Sequence, residues 1–137
     1  MALSAVLEFG DNSIKRYSKQ YLLSDCRLVF DRPYNAFSPE RLARCERMEV
    51  VIIAPGKSDL SLFQWFTNQE GKEGRIAISL IGESMQNSAE PQEVYFENAH
   101  CLSLAEIYDI DSQRRRLIKL AIIADTIHIE DVEFNCI

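Results

Sequence analysis

Two runs of this 137-residue chain are apolar on both faces of an extended strand. In Arg116–Ala124, Ile118, Leu120 and Ile122 line one face while Leu117, Ala121 and Ile123 line the other. In Arg75–Ile81, Ile76, Ile78 and Leu80 stand opposite Ala77 and Ile81. Successive side chains of a strand alternate between faces, so such runs need cover on both sides. The cover is either a second sheet and a helix of the same chain or a neighbouring subunit. The pattern alone leaves both open.

The other apolar segments also read as strands. Leu3, Ala5, Leu7 and Phe9 alternate with smaller or polar residues, and Gly10–Ser13 has turn composition, which predicts a hairpin. Strands are expected over Ile14–Phe30, with a bulge before Leu28, and over Met48–Ala54, stopped by Pro55 and Gly56. Further strands are expected over Val94–Tyr108 and Arg116–Ala124, with a short end piece from Thr126 to Phe134. β-branched and aromatic residues fill these runs, as a pleated surface prefers. One helix, about residues 59–69, interrupts them: Ser58 and Asp59 offer a cap, Leu62, Phe63 and Phe66 form a stripe, and Gly71 offers a stop. With Trp65 it predicts a plug for a barrel end or a cover for one sheet. Residues 31–47 read as a long irregular loop. Pro33 and Pro39 exclude a central strand or a helix through its first half, while Pro39–Arg47 suits a helical turn or the start of the next strand. The whole reads as one mainly β domain over residues 1–137.

Composition narrows the function. The net charge of -6 argues against wholesale nucleic-acid binding. No apolar run reaches the ~18 residues of a membrane helix, and Met1–Glu8 lacks the basic start of a signal peptide. An acidic protein of the cytoplasm is expected, with Cys26, Cys45, Cys101 and Cys136 reduced. No metal, cofactor or catalytic residue is assigned. The cysteines show no zinc-site spacing, and His100 and Cys101 fall on opposite faces of one strand. No glycine loop or nucleophile motif is present. His128, between Ile127 and Ile129, is expected on a strand edge facing solvent or an interface. Cys26 with His100 is the remaining nucleophile–base combination, and an enzyme is the weaker class. Charge is unevenly placed: Arg32, Arg41, Arg44 and Arg47 cluster in the loop and Arg114–Arg116 form a second basic group. Asp125, Glu130, Asp131 and Glu133 make an acidic tail without Lys or Arg. A basic end and an acidic end suit a head-to-tail contact that propagates.

The order of these elements resembles the type VI secretion tube protein, the haemolysin-coregulated protein family, in its Bacteroidetes form. The resemblance runs through Leu7–Gly10, Tyr21 and Leu23 ahead of Arg32 and Pro33, the Met48–Ala54 strand, and Leu62–Phe66 on the helix. It continues through Gly74–Ile78, Val94–Phe96, Ala99–Cys101, Leu117–Ala124 and Ile127–Ile129. It implies a two-sheet β-barrel with one short α-helix and a long extended loop after the second strand. It also implies hexameric rings that stack into a tube, ejected with effectors by a contractile sheath and exported without a signal peptide. Sheath, tip and effector proteins would be the partners, with no nucleic acid or membrane insertion. Ring stacking would fall to Arg32, Pro33, Tyr34, Phe37, Arg41, Arg44 and Arg47 against Asp125, Glu130, Asp131 and Glu133. Lateral ring contacts would fall to Leu117, Ala121 and Ile123. The sequence departs from the family pattern at Asp31, where Gly is usual, in the bulky arginine-rich Tyr34–Arg47 stretch, and at Cys136–Ile137 in place of an aromatic. The alternative reading is a non-polymerising paralogue that binds an effector or adapts the tube tip.

Overall fold

The computed structural model describes residues 2–31, 44–54, 60–68, 70–81, 92–109, 115–129 and 132–135. In chain order these form β1 (Ala2–Asp11), β2 (Arg16–Asp31), β3 (Arg44–Ile53), α1 (Ser61–Asn68), β4 (Lys72–Ile81), β5 (Gln92–Asp109), β6 (Arg115–Ile129) and β7 (Val132–Asn135). The strands pair in the order β3-β2-β1-β4-β5-β6-β7, and β3 also pairs with β6. That last pairing, from Met48 opposite Ile122 to Ile53 opposite Leu117, curls one continuous sheet into a closed barrel. Every pairing is antiparallel. β6 is long enough to hold β3 along its first part and β7 along its end, where Thr126–Ile129 pair with Asn135–Val132.

Irregularities occur where the strands must bend. The register shifts at Phe9/Gly10, at Leu23/Asp25 and Val29/Phe30, and at Cys101/Ser103. A bulge adds a residue to one strand and increases local twist, which helps a sheet close. Gly74 marks a second need, close approach: a Cβ there would lie 2.1 Å from the Glu8 carbonyl oxygen and 2.9 Å from the Phe96 ring.

Alternate residues point inward. Leu7, Tyr21, Leu23, Met48, Val50, Ile52, Ile76, Val94, Phe96, Ile118, Leu120 and Ile122 fill the barrel. α1 plugs one end with Leu62 and Trp65. The Phe9 ring meets the edges of Trp65 at 5.1 Å and of Tyr21 and Phe96 at 6.0 Å. Edge-to-face packing at these separations is favourable beyond the area it buries. The Trp65 indole N–H donates to Glu70 O at 2.7 Å and to Ala99 O at 3.2 Å, and Tyr21 and Ser61 share a hydroxyl hydrogen bond of 2.7 Å. The helix is thereby fastened to the barrel by its polar atoms as well as its apolar ones.

Several expectations shift. Trp65, not Phe66, is the deep residue of α1, and Phe66 remains 40% exposed. The first helical hydrogen bond runs from Gln64 N–H to Leu60 O, while Ser58 and Asp59 lie outside the described residues. Gly71 does not end the helix through a left-handed turn, since its φ is not positive. It is small because the Asn98 side chain would sit 1.8 Å from a Cβ there. Of the loop expected over 31–47, Asp31 closes β2 and Arg44–Arg47 open β3, while residues 32–43 lie outside the described residues. The strand expected to stop at Ala124 continues to Ile129, because β5 supports it along its whole length.

Candidate subunit interface

The outward set on β6 is Leu117, Lys119, Ala121 and Ile123. Across one edge, Ile53, Val51 and Glu49 of β3 pair with the first three. Across the other, Ile107, Ala105 and Ser103 of β5 pair with the same three, and His100 pairs with Ile123. The outcome is an apolar wall with exposed Lys119 at its centre. Leu117, Ala121, Ile123, Val51 and Ile53 are half-buried in the single chain, and Ile107 is 42% exposed. The three residues expected to make lateral contacts therefore share one outer face. Glu49 borders this wall, 3.3 Å from Arg47 and 3.7 Å from Arg27.

Of the residues expected to stack rings, Arg32, Pro33, Tyr34, Phe37, Arg41, Glu130 and Asp131 lie outside the described residues. Arg44 opens β3 opposite Asp31. Arg47 faces out beside Glu49, Asp125 accepts a hydrogen bond from Asn98 Nδ2 at 2.5 Å, and Glu133 on β7 is exposed opposite His128. The register corrects the idea that these are two opposite ends. Arg47 is one residue past the Met48–Ile122 pair, toward the part of β6 that carries Asp125 and meets β7. Antiparallel pairing turns β3 back beside the end of β6, so Arg44 and Arg47 share an end with Asp125 and Glu133. The start of β6, including Arg116, lies the other way, beside Ala54 just past β3, while α1 packs on β5 at Ala99, the partner of Ala124. Arg116 is half-buried, and its Nε has no hydrogen-bond partner among the described residues.

A second outward row crosses the sheet: Gln20, Glu8, Arg75, Tyr95, His128 and Glu133 are consecutive cross-strand partners. Arg75 Nε lies 2.9 Å from Glu8, its NH1 lies 3.4 Å from Glu93, and its guanidinium stacks 4.4 Å from the Tyr17 ring centre. Partial burial works against the Arg75 charge, but the hydrogen bond and charge of Glu8, with Tyr17 and Glu93, outweigh it and raise its pKa. The Tyr95 hydroxyl donates to Glu93. The Tyr17 hydroxyl donates to Asn12 Oδ1 at 2.7 Å, and Asn12 Nδ2 donates to the Gly74 and Phe96 carbonyls at 3.0 and 3.2 Å. This network ties the β1–β2 hairpin to β4 and β5. These side chains come together only through strand register. His128 belongs to this row, flanked by β5 and β7, rather than at a sheet edge.

The described residues assemble no nucleophile with a base. His100 and Cys101 line a depression of about 560 Å³ with Phe66 and Leu102, yet Cys101 packs against the core. Burial pushes its thiol up to about 11, and burial with the neighbouring Asp25 charge does the same to Cys26. A nucleophilic thiol needs the opposite shift. Among the described residues no group of three His, Cys, Asp or Glu could hold a metal ion.

The chain is thus a closed antiparallel β-barrel, plugged by one helix and carrying an apolar outer wall. The family model described as "Hemolysin coregulated protein Hcp (TssD)" matches residues 1–136, and the chain belongs to that family. Among solved structures it is similar to Hcp1 from Flavobacterium johnsoniae, with 21% identity, 98% of this chain and 99% of that chain covered, and a TM-score of 0.69. It is also similar to Hcp1 from Salmonella typhimurium, with 10% identity, 93% and 85% covered, and a TM-score of 0.67. A structure described as a type six secretion system protein shares 9% identity, 92% and 82% coverage, and a TM-score of 0.64. These identities speak for the fold. No curated protein sequence matches the chain.

Proposed function

We propose that the chain is a subunit of a type VI secretion inner tube, closing laterally into hexameric rings that stack head to tail and leave with effectors. Family membership supports this, and one observation carries the lateral part: the Leu117, Ala121 and Ile123 face of β6 is apolar and faces away from the barrel's own core. A contiguous outward apolar wall is stable in water when a neighbour covers it. Stacking then joins the Arg116 end of one subunit to the end bearing Asp125 and Glu133 of the next. Arg116 Nε gains an acceptor in that contact, and a buried donor left unpaired costs about 1–3 kcal/mol. The 32–43 segment, through Arg32 and Arg41, also contributes to the contact between rings. On this reading the protein is made in the cytoplasm, exported through the apparatus, and partnered by sheath, tip and effector proteins, with a structural rather than enzymatic role.

Light scattering after size exclusion tests the ring, with Ala121→Arg as the variant. The wild type is expected as a hexamer and the variant as a monomer with an unchanged circular dichroism spectrum. An unpaired charge in a covered wall costs several kcal/mol, whereas on a free surface it changes stability little. A wild-type monomer at high micromolar concentration overturns the proposal.

A further inference from the structure

A ring built head to tail uses two different patches on each copy, one meeting the other across every joint. The β6 wall is one. Resting on the ring reading above, we infer that its counterpart is the outer face of β2, β1 and β4 around Leu22, Val6 and Ala77, bordered by Glu8. These three are direct cross-strand partners, Leu22 opposite Val6 and Val6 opposite Ala77, so they form one apolar stripe on the outside. Leu22 is 51% exposed, the largest apolar side chain of the stripe. The stripe lies on a different side of the barrel from the wall: β1 is separated from β6 by two strands in either direction around the closed sheet.

Charge selects the pairing. Lys119 projects from the centre of the wall, between Val51 and Ala105. Beside the stripe, Glu8 and Glu93, the latter opposite Ala77, share one guanidinium, Arg75, so two carboxylates face a single positive charge. An isolated lysine amid apolar side chains is costly to cover unless a carboxylate meets it. Glu8, next but one to Val6 on the same face of β1, supplies it. The apolar stripe meets Ala121 and Leu117, and Glu8 meets Lys119, so the same contact satisfies both the hydrophobic and the ionic side.

The test uses the full chain and measures the assembly constant by mass photometry across a dilution series. Leu22→Arg is expected to weaken assembly at least a hundredfold. Ile14→Arg, an equally drastic change at the exposed hairpin, is expected to leave it within threefold. Lys119→Gln and Glu8→Gln are each expected to weaken it about tenfold, and the double variant no more than either alone, because each removes the same contact. Rings that persist in Leu22→Arg, or single-variant losses that multiply in the double variant, overturn the assignment of this stripe while leaving the ring itself standing. A wild type that never assembles overturns both. The charge-neutral variants keep the question answerable if Leu22→Arg fails to fold.

Discussion

Trp65→Phe measures how firmly the helix plugs the barrel. The substitution removes the indole N–H, which now serves the Glu70 and Ala99 carbonyls at 2.7 and 3.2 Å. Losing the donor from a site only 1% exposed costs about 1–3 kcal/mol, with the Ala99 side the heavier because that contact is fully buried. The smaller ring also leaves about three heavy atoms' worth of space against Phe9, which adds about 1–2 kcal/mol in lost transfer energy and cavity. The sum is about 3 kcal/mol. In a chain of this length that corresponds to a fall in melting temperature of about 12 °C. Urea unfolding in the Ala121→Arg background gives the cleanest reading, since assembly otherwise adds concentration-dependent stability. Phe66→Ala, one residue along and on the solvent side, is expected to cost less than about 1 kcal/mol. A Trp65→Phe loss below about 1 kcal/mol, or one no larger than that of Phe66→Ala, would refute the account of the plug.

Gly74→Ala is expected to destabilise the fold by more than about 2 kcal/mol, because the added carbon meets the backbone oxygen of Glu8 rather than a side chain that can move; an unchanged urea midpoint would show that β1 yields. The two characterised thiols give a pH prediction. Cys26 and Cys101 are held near 11 in the fold against about 9 when unfolded, so their contribution to stability is complete below pH 9 and declines as pH rises through 11. Stability measured at pH 8 and pH 10.5 is expected to fall, and alkylation mapped by peptide mass spectrometry to stay slow at both cysteines at pH 7.5. Rapid neutral-pH alkylation of either one would contradict its burial.

The strand pattern was readable because it depends on period alone. The two-sided runs at Arg75–Ile81 and Leu117–Ile123 identified both the sheet and its outer wall. What could not be read was register. Whether Glu8 faces Arg75, and whether Arg75 then faces Tyr95, depends on the offset between paired strands, which leaves no clear mark in composition. The same blindness put Arg47 and Asp125 at opposite ends, since linear separation says nothing about which ends antiparallel strands share. The helix was placed correctly, and Leu62 and Phe63 do turn to the core, but Phe66 does not: it fits a helical stripe as well as Trp65 does. The choice was made by two backbone carbonyls that only the tryptophan can satisfy. The glycines at 71 and 74 likewise answer to atoms far away in the chain, a side chain and a carbonyl respectively.

The pairing of β3 with β6 joins segments more than sixty residues apart, and β6 is the penultimate strand. During synthesis, then, the rim of β3 waits unpaired until nearly the whole polypeptide has emerged. Contacts this distant close slowly, and a waiting strand rim invites pairing with other nascent chains. A ribosome-stalled fragment ending before residue 115 should therefore be a sticky, chaperone-dependent species, whatever the finished barrel's robustness.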